Sequence, residues 1–318
     1  MTAPQLAIVV DAEEEFDWTQ PFSRENQSTT TILAQGSVHQ IYDDFGVVPT
    51  YVIDYPIVDN AAAVDWLDGM RREGRLEIGT HPHPWVTPPH EETLSSYNSY
   101  LCNLPEALQR RKIETLHQAI ERAFAMTPTI FKAGRYGFGT ATRNIIADLG
   151  YTVDCSHVPH TNFGADGGPD FRTVPQQPHW LDDTKQLLEI PVTAGFFGAL
   201  AGSGQQFSGL FDHGLATRLR IPGMLGRSGL LSRSRLTPEG ICATEQCRLL
   251  KALVGQGQRI FTLCYHSPSL MPGHTPYVRS EADRDQFLDR IRTVLAYFRD
   301  ELGGEFTTLT KIRASHPR

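Results

Sequence analysis

Arg75-Leu-Glu-Ile-Gly-Thr-His-Pro-His-Pro-Trp85 reads as a short apolar strand running straight into two histidines two positions apart. Residues i and i+2 of an extended segment point to the same side, so His81 and His83 aim their imidazoles at one point. Pro82 and Pro84 hold the preceding histidines near β or polyproline geometry, because a residue before proline is pushed out of the α region. Two imidazoles arranged this way at a strand end predict a metal site.

The same grammar repeats on both sides of this stretch. Gln5–Ala12 is a buried strand that meets a burst of carboxylates, Asp11, Glu13, Glu14, Glu15 and Asp17, and period-two geometry puts Asp11 and Glu13 on one face. Further strands are expected at Val47–Asp54, Thr129–Ala133, Tyr151–Ser156, Leu187–Thr193, Arg259–His266 and Glu305–Ile312. Between them, residues 30–46, 58–73, Leu104–Met126, Thr140–Gly150, 243–256 and Glu281–Leu302 carry helical patterning, and His117 within the third of these reads as structural or solvent-facing. Strands alternating with helices point to a parallel α/β fold or barrel.

At 318 residues, 40% hydrophobic and 20% charged, the chain suits one α/β barrel with insertions, and a single domain over 5–312 is expected. A net charge of −7 argues against general nucleic-acid binding. The first ten residues and every later apolar run fall short of the roughly 18 residues a membrane span needs. The five cysteines are scattered without a CxxC pair, so neither a disulfide framework nor a zinc ribbon is indicated, and a cytoplasmic location is expected. Residues 157–186 are loop-rich and hold histidines at 157, 160 and 179. An insertion at 195–240 carries Arg218, Arg220, Arg227, Arg233 and Arg235. It reads either as a solvated helical hairpin or as a basic lid for an anionic sugar or lipid phosphate, with membrane-surface contact through 218–235.

In α/β barrels, function gathers at the carboxyl ends of the strands. Those ends present Asp11 and Glu13, His81 and His83, Arg135 with Tyr136, Asp154, and His266. Two histidines and a carboxylate make the ligand set of a hydrolytic divalent metal site with open positions. A second carboxylate acts as base and a separate histidine as acid. Gly134-Arg-Tyr-Gly-Phe-Gly139 is a glycine-rich turn whose backbone N–H groups suit a developing oxyanion; its spacing is not that of a dinucleotide-binding loop.

The ordered set VVDAEEEFDW, EIGTHPHPW, FKAGRYGFG, LEIPVT and LCYHSPSL resembles the polysaccharide deacetylases of carbohydrate esterase family 4, the NodB-homology group, from about residue 5 to 312. The resemblance implies a distorted (β/α)7 barrel, here with an inserted basic segment, a divalent metal, usually zinc, and removal of an N- or O-acetyl group from a sugar or polysaccharide. By position it implies Asp11 as catalytic base, His266 as general acid, His81 as the first metal histidine, and the Tyr136 backbone N–H in the oxyanion hole. The first motif has Ala12 between its acids, which moves the metal carboxylate to Glu13. Trp85 stands where the second metal histidine usually falls, so His83 takes that role, with His90 in reserve. The arginine that orients the base aligns with Lys132 or Arg135, of which Arg135 is favoured, and Asp154 is the candidate partner of the general acid.

Three functions follow: a metal-dependent deacetylase of a cytoplasmic or membrane-associated glycan precursor, an amidohydrolase of the same barrel acting on a non-sugar C–N bond, or a catalytically silent sugar-binding module.

Overall fold

The computed structural model describes residues 2–317 apart from 18, 19, 208, 210 and 212–220. The chain opens with β1 (Gln5–Ala12), a 3-10 turn (Thr30–Gln35) that runs into α1 (Gly36–Phe45), and β2 (Thr50–Ile53). Helices α2 (Tyr55–Asp59) and α3 (Ala61–Arg72) then lead to β3 (Glu77–Thr80). Next come α4 (Glu106–Phe124), β4 (Ile130–Phe131), α5 (Thr140–Asp148), β5 (Val153–Asp154), β6 (His179–Trp180), β7 (Leu188–Glu189) and β8 (Ala194–Phe197). The last third holds α6 (Ile221–Arg227), β9 (Ser232–Arg235), α7 (Ala243–Gly255), β10 (Ile260–His266), α8 (Glu281–Asp300), β11 (Glu305–Phe306) and α9 (Leu309–Ser315).

Strands pair in the order β10-β1-β2-β3-β4-β5-β7-β6, with β11 beside the start of β1. Every pairing in this sheet is parallel except β6 with β7. The sheet curls into a half-barrel with helices outside, a distorted (β/α) barrel. Across the seam, Thr193 and Thr262 exchange bonds: each backbone N–H donates to the other's hydroxyl, at 2.9 and 2.8 Å, and the Thr262 hydroxyl donates to Pro191 O at 2.9 Å.

Side-chain alternation along the strands sets what faces inward. Leu6, Ile8, Val10 and Ala12 of β1 pack into one apolar cluster with Phe261, Leu263 and Tyr265 of β10 and with residues of α1, α3, α7 and α8. Ala7 and Val9 pack on the other side with Val52 and Cys264. Asp11 follows Ala7 and Val9 in parity, and His266 follows Cys264, so the polar ends of both strands turn to the barrel interior.

Several sequence expectations shift. The helix expected at 58–73 is two, broken at Asn60, whose side chain accepts from the N–H groups of Ala62 and Ala63 and caps α3. The strand expected over Glu305–Ile312 ends at Phe306, because the Thr308 hydroxyl accepts the Lys311 N–H and starts α9 instead. Within 195–240, β8 and β9 form a separate two-stranded antiparallel sheet. Arg218 and Arg220 lie outside the described residues. Of the others, Arg227 is exposed, whereas Arg233 donates to the His160 carbonyl at 2.6 Å and stacks over Phe211, and Arg235 turns toward a cavity. The described part of the insertion is therefore not a uniform basic face. Among the described residues no helix is long and apolar enough to cross a membrane.

Candidate active site

Asp11 and His266 are register partners across the β1–β10 ladder, which brings His266 Nε2 to 3.8 Å from Asp11 Oδ2. The ammonium of Lys132, just beyond β4, donates to both Asp11 oxygens at 2.6 and 2.7 Å. Burial works against the Asp11 charge, but Lys132, His81 and His266 outweigh it and hold the carboxyl below its ordinary value. Lys132 is itself fully buried, and Asp11 in turn holds its ammonium charged, well above the usual lysine range. The cation on the candidate base is thus Lys132. Arg135 does not reach Asp11; its guanidinium lies over the rings of Tyr100 and Phe22, donates to the Ser99 hydroxyl, and sits 3.5 Å from Asp166. A lysine inside a buried apolar strand needs a buried carboxylate, and that signal was present in Thr-Ile-Phe-Lys-Ala.

Glu13, two residues beyond Asp11 on the same face, reaches both histidines of the opening stretch. Its Oε2 lies 3.7 Å from His81 Nε2 and 3.5 Å from His83 Nε2. The far ring nitrogens are engaged: His81 Nδ1–H donates to the Lys132 carbonyl at 2.9 Å, and His83 Nδ1–H to Glu14 Oε2 at 2.7 Å. Both rings therefore present an Nε2 lone pair toward Glu13, with the outer atoms fixed as in orienting shells around metal ligands. One donor atom from each of Glu13, His81 and His83 falls within a 4.8 Å cluster, and all three residues are buried. This set fits a divalent ion. His90, the reserve ligand, is exposed and belongs to none of the potential ligand clusters among the described residues.

Trp85 explains how His83 is held. Its ring stacks on His83 with centroids 4.3 Å apart, and its Nε1–H donates to Glu14 Oε1 at 2.6 Å. Glu14 lies against Asp54, which accepts the Glu14 N–H at 2.8 Å and caps α2 through the Ile57 N–H. Burial, reinforced by the charge of Glu13, raises the Glu14 carboxyl to about 7, and burial together with Glu14 lifts Asp54 well above its ordinary value. Gly134 packs on the other side of His83: a Cβ there would stand 2.3 Å from His83 Cδ2 and 2.6 Å from the Pro82 carbonyl. Lys112, fully buried on α4, donates to the carbonyls of Pro84 and Thr87 at 2.8 and 2.6 Å and braces the loop after the histidines. His117 is structural, bonded through Nδ1 to the Tyr151 hydroxyl at 3.0 Å.

His266 is backed by Glu239, from the turn after β9. Glu239 Oε2 accepts from His266 Nδ1–H at 2.9 Å, and Oε1 accepts the His266 backbone N–H at 3.1 Å and the Ser269 hydroxyl at 2.6 Å. Burial disfavours the imidazolium, yet Glu239, Glu13 and Asp11 outweigh it and raise its pKa to about 10. Asp154 does not take this role. It is fully buried beside Glu189, with Oδ1 accepting from the Ser156 hydroxyl at 2.6 Å, and burial raises its carboxyl to about 6. Glu239 escaped sequence reading because it sits between Pro238 and Gly240 inside the insertion, away from any strand end of the main sheet.

Arg135 and Tyr136 both adopt left-handed backbone, at φ 51° and 61°, a conformation rare outside glycine. The Tyr136 N–H donates to the Ala133 carbonyl at 3.0 Å, so the amide nominated for the oxyanion is already engaged. The Gly134, Gly137 and Phe138 amides are bonded to carbonyls as well. The Tyr136 side chain lines the cavity, its hydroxyl pushed up to about 12 by burial.

These groups open into one cavity of about 440 Å³, walled by Phe16, Phe22, Trp85, Tyr100, Tyr136, Phe163 and Tyr277 and by Arg135 and Arg235.

No protein-family profile matches the sequence, and no curated protein does. Solved structures do. A candidate polysaccharide deacetylase from Mycobacterium smegmatis superposes with a TM-score of 0.57 at 14% identity, over 98% of this chain and 93% of that one. Puue allantoinase gives 0.53 at 14% identity, over 99% and 91%. A branching enzyme of glycoside hydrolase family 57 from Thermococcus kodakaraensis gives 0.53 at 13%, over 99% and 72%. At such identities the likeness concerns architecture, and with the strand order and the curled half-barrel it leads to one conclusion: the chain has the NodB-type fold of the carbohydrate esterase family 4 polysaccharide deacetylases.

Proposed function

We propose that the protein is a metal-dependent hydrolase that removes an acetyl group, carried on nitrogen, from a sugar of a polysaccharide or glycan precursor. The observation that carries this reading is the meeting, on one cavity wall, of the Glu13–His81–His83 set with a carboxylate and an imidazole each backed by a buried partner of opposite charge. Zinc suits the ligand set, which Glu13, His81 and His83 would provide. When bound, the ion supplies Lewis acidity toward the acyl carbonyl and lowers the pKa of water.

The chain's own residues move the protons. Asp11, kept ionised by Lys132, takes the proton of the attacking water at a carboxylate oxygen. His266 carries a proton at Nε2 for the departing nitrogen, while Glu239 holds Nδ1 and keeps the ring charged. The aromatic wall excludes bulk water and gives a sugar ring faces to stack on. Arg235 lines the cavity, and no carboxylate pairs with it among the described residues, which favours a substrate bearing an acidic group. The five free cysteines fit a reducing compartment, and a cytoplasmic location belongs to this reading.

Acetate release from neutral and acidic N-acetylated sugars, with and without chelator, tests the proposal. Asp11→Asn keeps the shape and removes the base. Activity insensitive to both chelation and Asp11→Asn sinks it. Cyclic amides in the same panel address the amidohydrolase reading, which the likeness to an allantoinase keeps in view. Sugar binding without turnover of any substrate marks a silent binding module.

A further inference from the structure

Away from the cavity, a second cluster of ligand-type side chains lies at the other end of the sheet. Asp154 and Glu189 are register partners at the ends of β5 and β7, so their carboxylates leave the sheet on one face. Both are completely buried, and His157, three residues past Asp154, is 9% exposed.

One oxygen of each carboxylate is already engaged as an acceptor. Asp154 Oδ1 accepts from the Ser156 hydroxyl at 2.6 Å, which itself accepts the Ala133 N–H at 2.8 Å. Glu189 Oε1 accepts the His157 N–H at 3.0 Å. The remaining atoms, Asp154 Oδ2, Glu189 Oε2 and His157 Nδ1, are buried without a hydrogen-bond partner. These three residues converge within 4.8 Å, and His157 Nδ1 stands 3.8 Å from Glu189 Oε2. Buried polar atoms are rarely left unpaired, and here three are left in one place. A proton held between the carboxyls would satisfy two of them and leave the imidazole nitrogen orphaned. A divalent cation satisfies all three, and its charge balances the two carboxylates.

We infer that Asp154, His157 and Glu189 form a second metal site, for a divalent transition ion such as Zn2+ or Mn2+. One imidazole and two carboxylates are suited to those ions, whereas calcium and magnesium sites are built from oxygen ligands. None of the three residues lines the catalytic cavity, so the site is structural: it pins β5 to β7 and anchors the loop that leaves β5. The hydroxyl of Ser156 and the backbone N–H of His157 orient the carboxylates, as outer-shell partners do at metal centres.

The test strips the full chain with chelator, returns Zn2+ or, separately, Mn2+, removes excess, and counts bound metal per folded chain by elemental analysis. The inference expects His157→Gln to bind one ion fewer than the natural chain, and to lose the rise in melting temperature which that ion confers. His157→Gln holding as many ions as the natural chain overturns it. Should His157→Gln not fold, Glu189→Gln is read by the same count. Glu13→Gln separates this site from the proposed catalytic one: an ion retained in Glu13→Gln and lost in His157→Gln supports the second site whatever becomes of the activity.

Discussion

Asp11 and His266 stand opposite each other at the ends of two parallel strands, 3.8 Å apart, and each is backed from behind by a buried group of opposite charge, Lys132 and Glu239 respectively. The spacing leaves the two side chains in one line of proton traffic without a direct hydrogen bond between them.

Removing Lys132 leaves the Asp11 charge buried and uncompensated. Lys132→Met is expected to lower stability by about 3–5 kcal/mol, read by urea denaturation, and to abolish acetate release. Arg135→Met spares the Asp11 pair and loses mainly its ring stacking, an effect of about 1 kcal/mol. Equal losses in the two variants would refute the assignment of Lys132.

Glu239→Gln keeps the hydrogen bond to His266 Nδ1 and removes the charge that helps raise that imidazolium to about 10. The folded pKa of His266 drops, so the protonated acid is lost at lower pH. The expected result is a fall in kcat of roughly 100-fold, with the basic limb of the pH profile moved toward neutrality. An unmoved basic limb would show that Glu239 does not tune His266.

Gly134→Ala places a methyl carbon 2.3 Å from His83 Cδ2, and either the ring or the turn must yield. Metal affinity is expected to fall roughly 10- to 100-fold, the range seen for disturbed ligand orientation, measured by competition with a chromophoric chelator. Undiminished affinity would remove His83 from the ligand set.

His39 is buried, stacks on Tyr51 and bonds its hydroxyl at 3.0 Å, and burial lowers its pKa from 6.5 to about 4. The unfolded chain therefore binds more protons between those values, so this contribution to stability is complete above about pH 6.5 and is lost as the pH falls toward 4. His39→Gln keeps a polar partner for Tyr51 and cannot titrate. Denaturation midpoints of this variant are expected to fall less steeply over that window than those of the natural chain.

If Arg235 binds an acidic group, Arg235→Gln raises KM for acidic substrates roughly 10- to 100-fold, the worth of a charge-assisted bond, and leaves neutral substrates unaffected. A uniform change across both classes would assign Arg235 to cavity shape instead.

How much was legible depended on whether the signal was local. The strand β1, the His81–His83 pair and β10 announce themselves by period-two patterning, and parity alone places Asp11, Glu13 and His266 on the inner face. The partners of Asp11 and His266 are set by packing between distant segments. Arg135 is favoured by the alignment with the arginine that orients the base in the family the sequence resembles, yet the left-handed turn carries it outward to Tyr100, and Lys132 reaches Asp11 across the barrel interior from the end of β4. Asp154 shared a strand-end position with the other site residues but sits across the sheet, paired with Glu189. Glu239 arrives from an insertion whose path no periodicity encodes.

The Glu13 N–H donates to the Ser267 hydroxyl at 3.3 Å, a bond between residues 254 positions apart. β1 pairs from Gln5 to Asp11 with β10, so it waits for a strand synthesised much later before its carboxylates are fully walled in. Contacts of such long sequence separation form slowly, and synthesis proceeds from the amino end. Glu13, His81 and His83 therefore all leave the ribosome well before His266, and the candidate site is complete only when β10 docks beside β1.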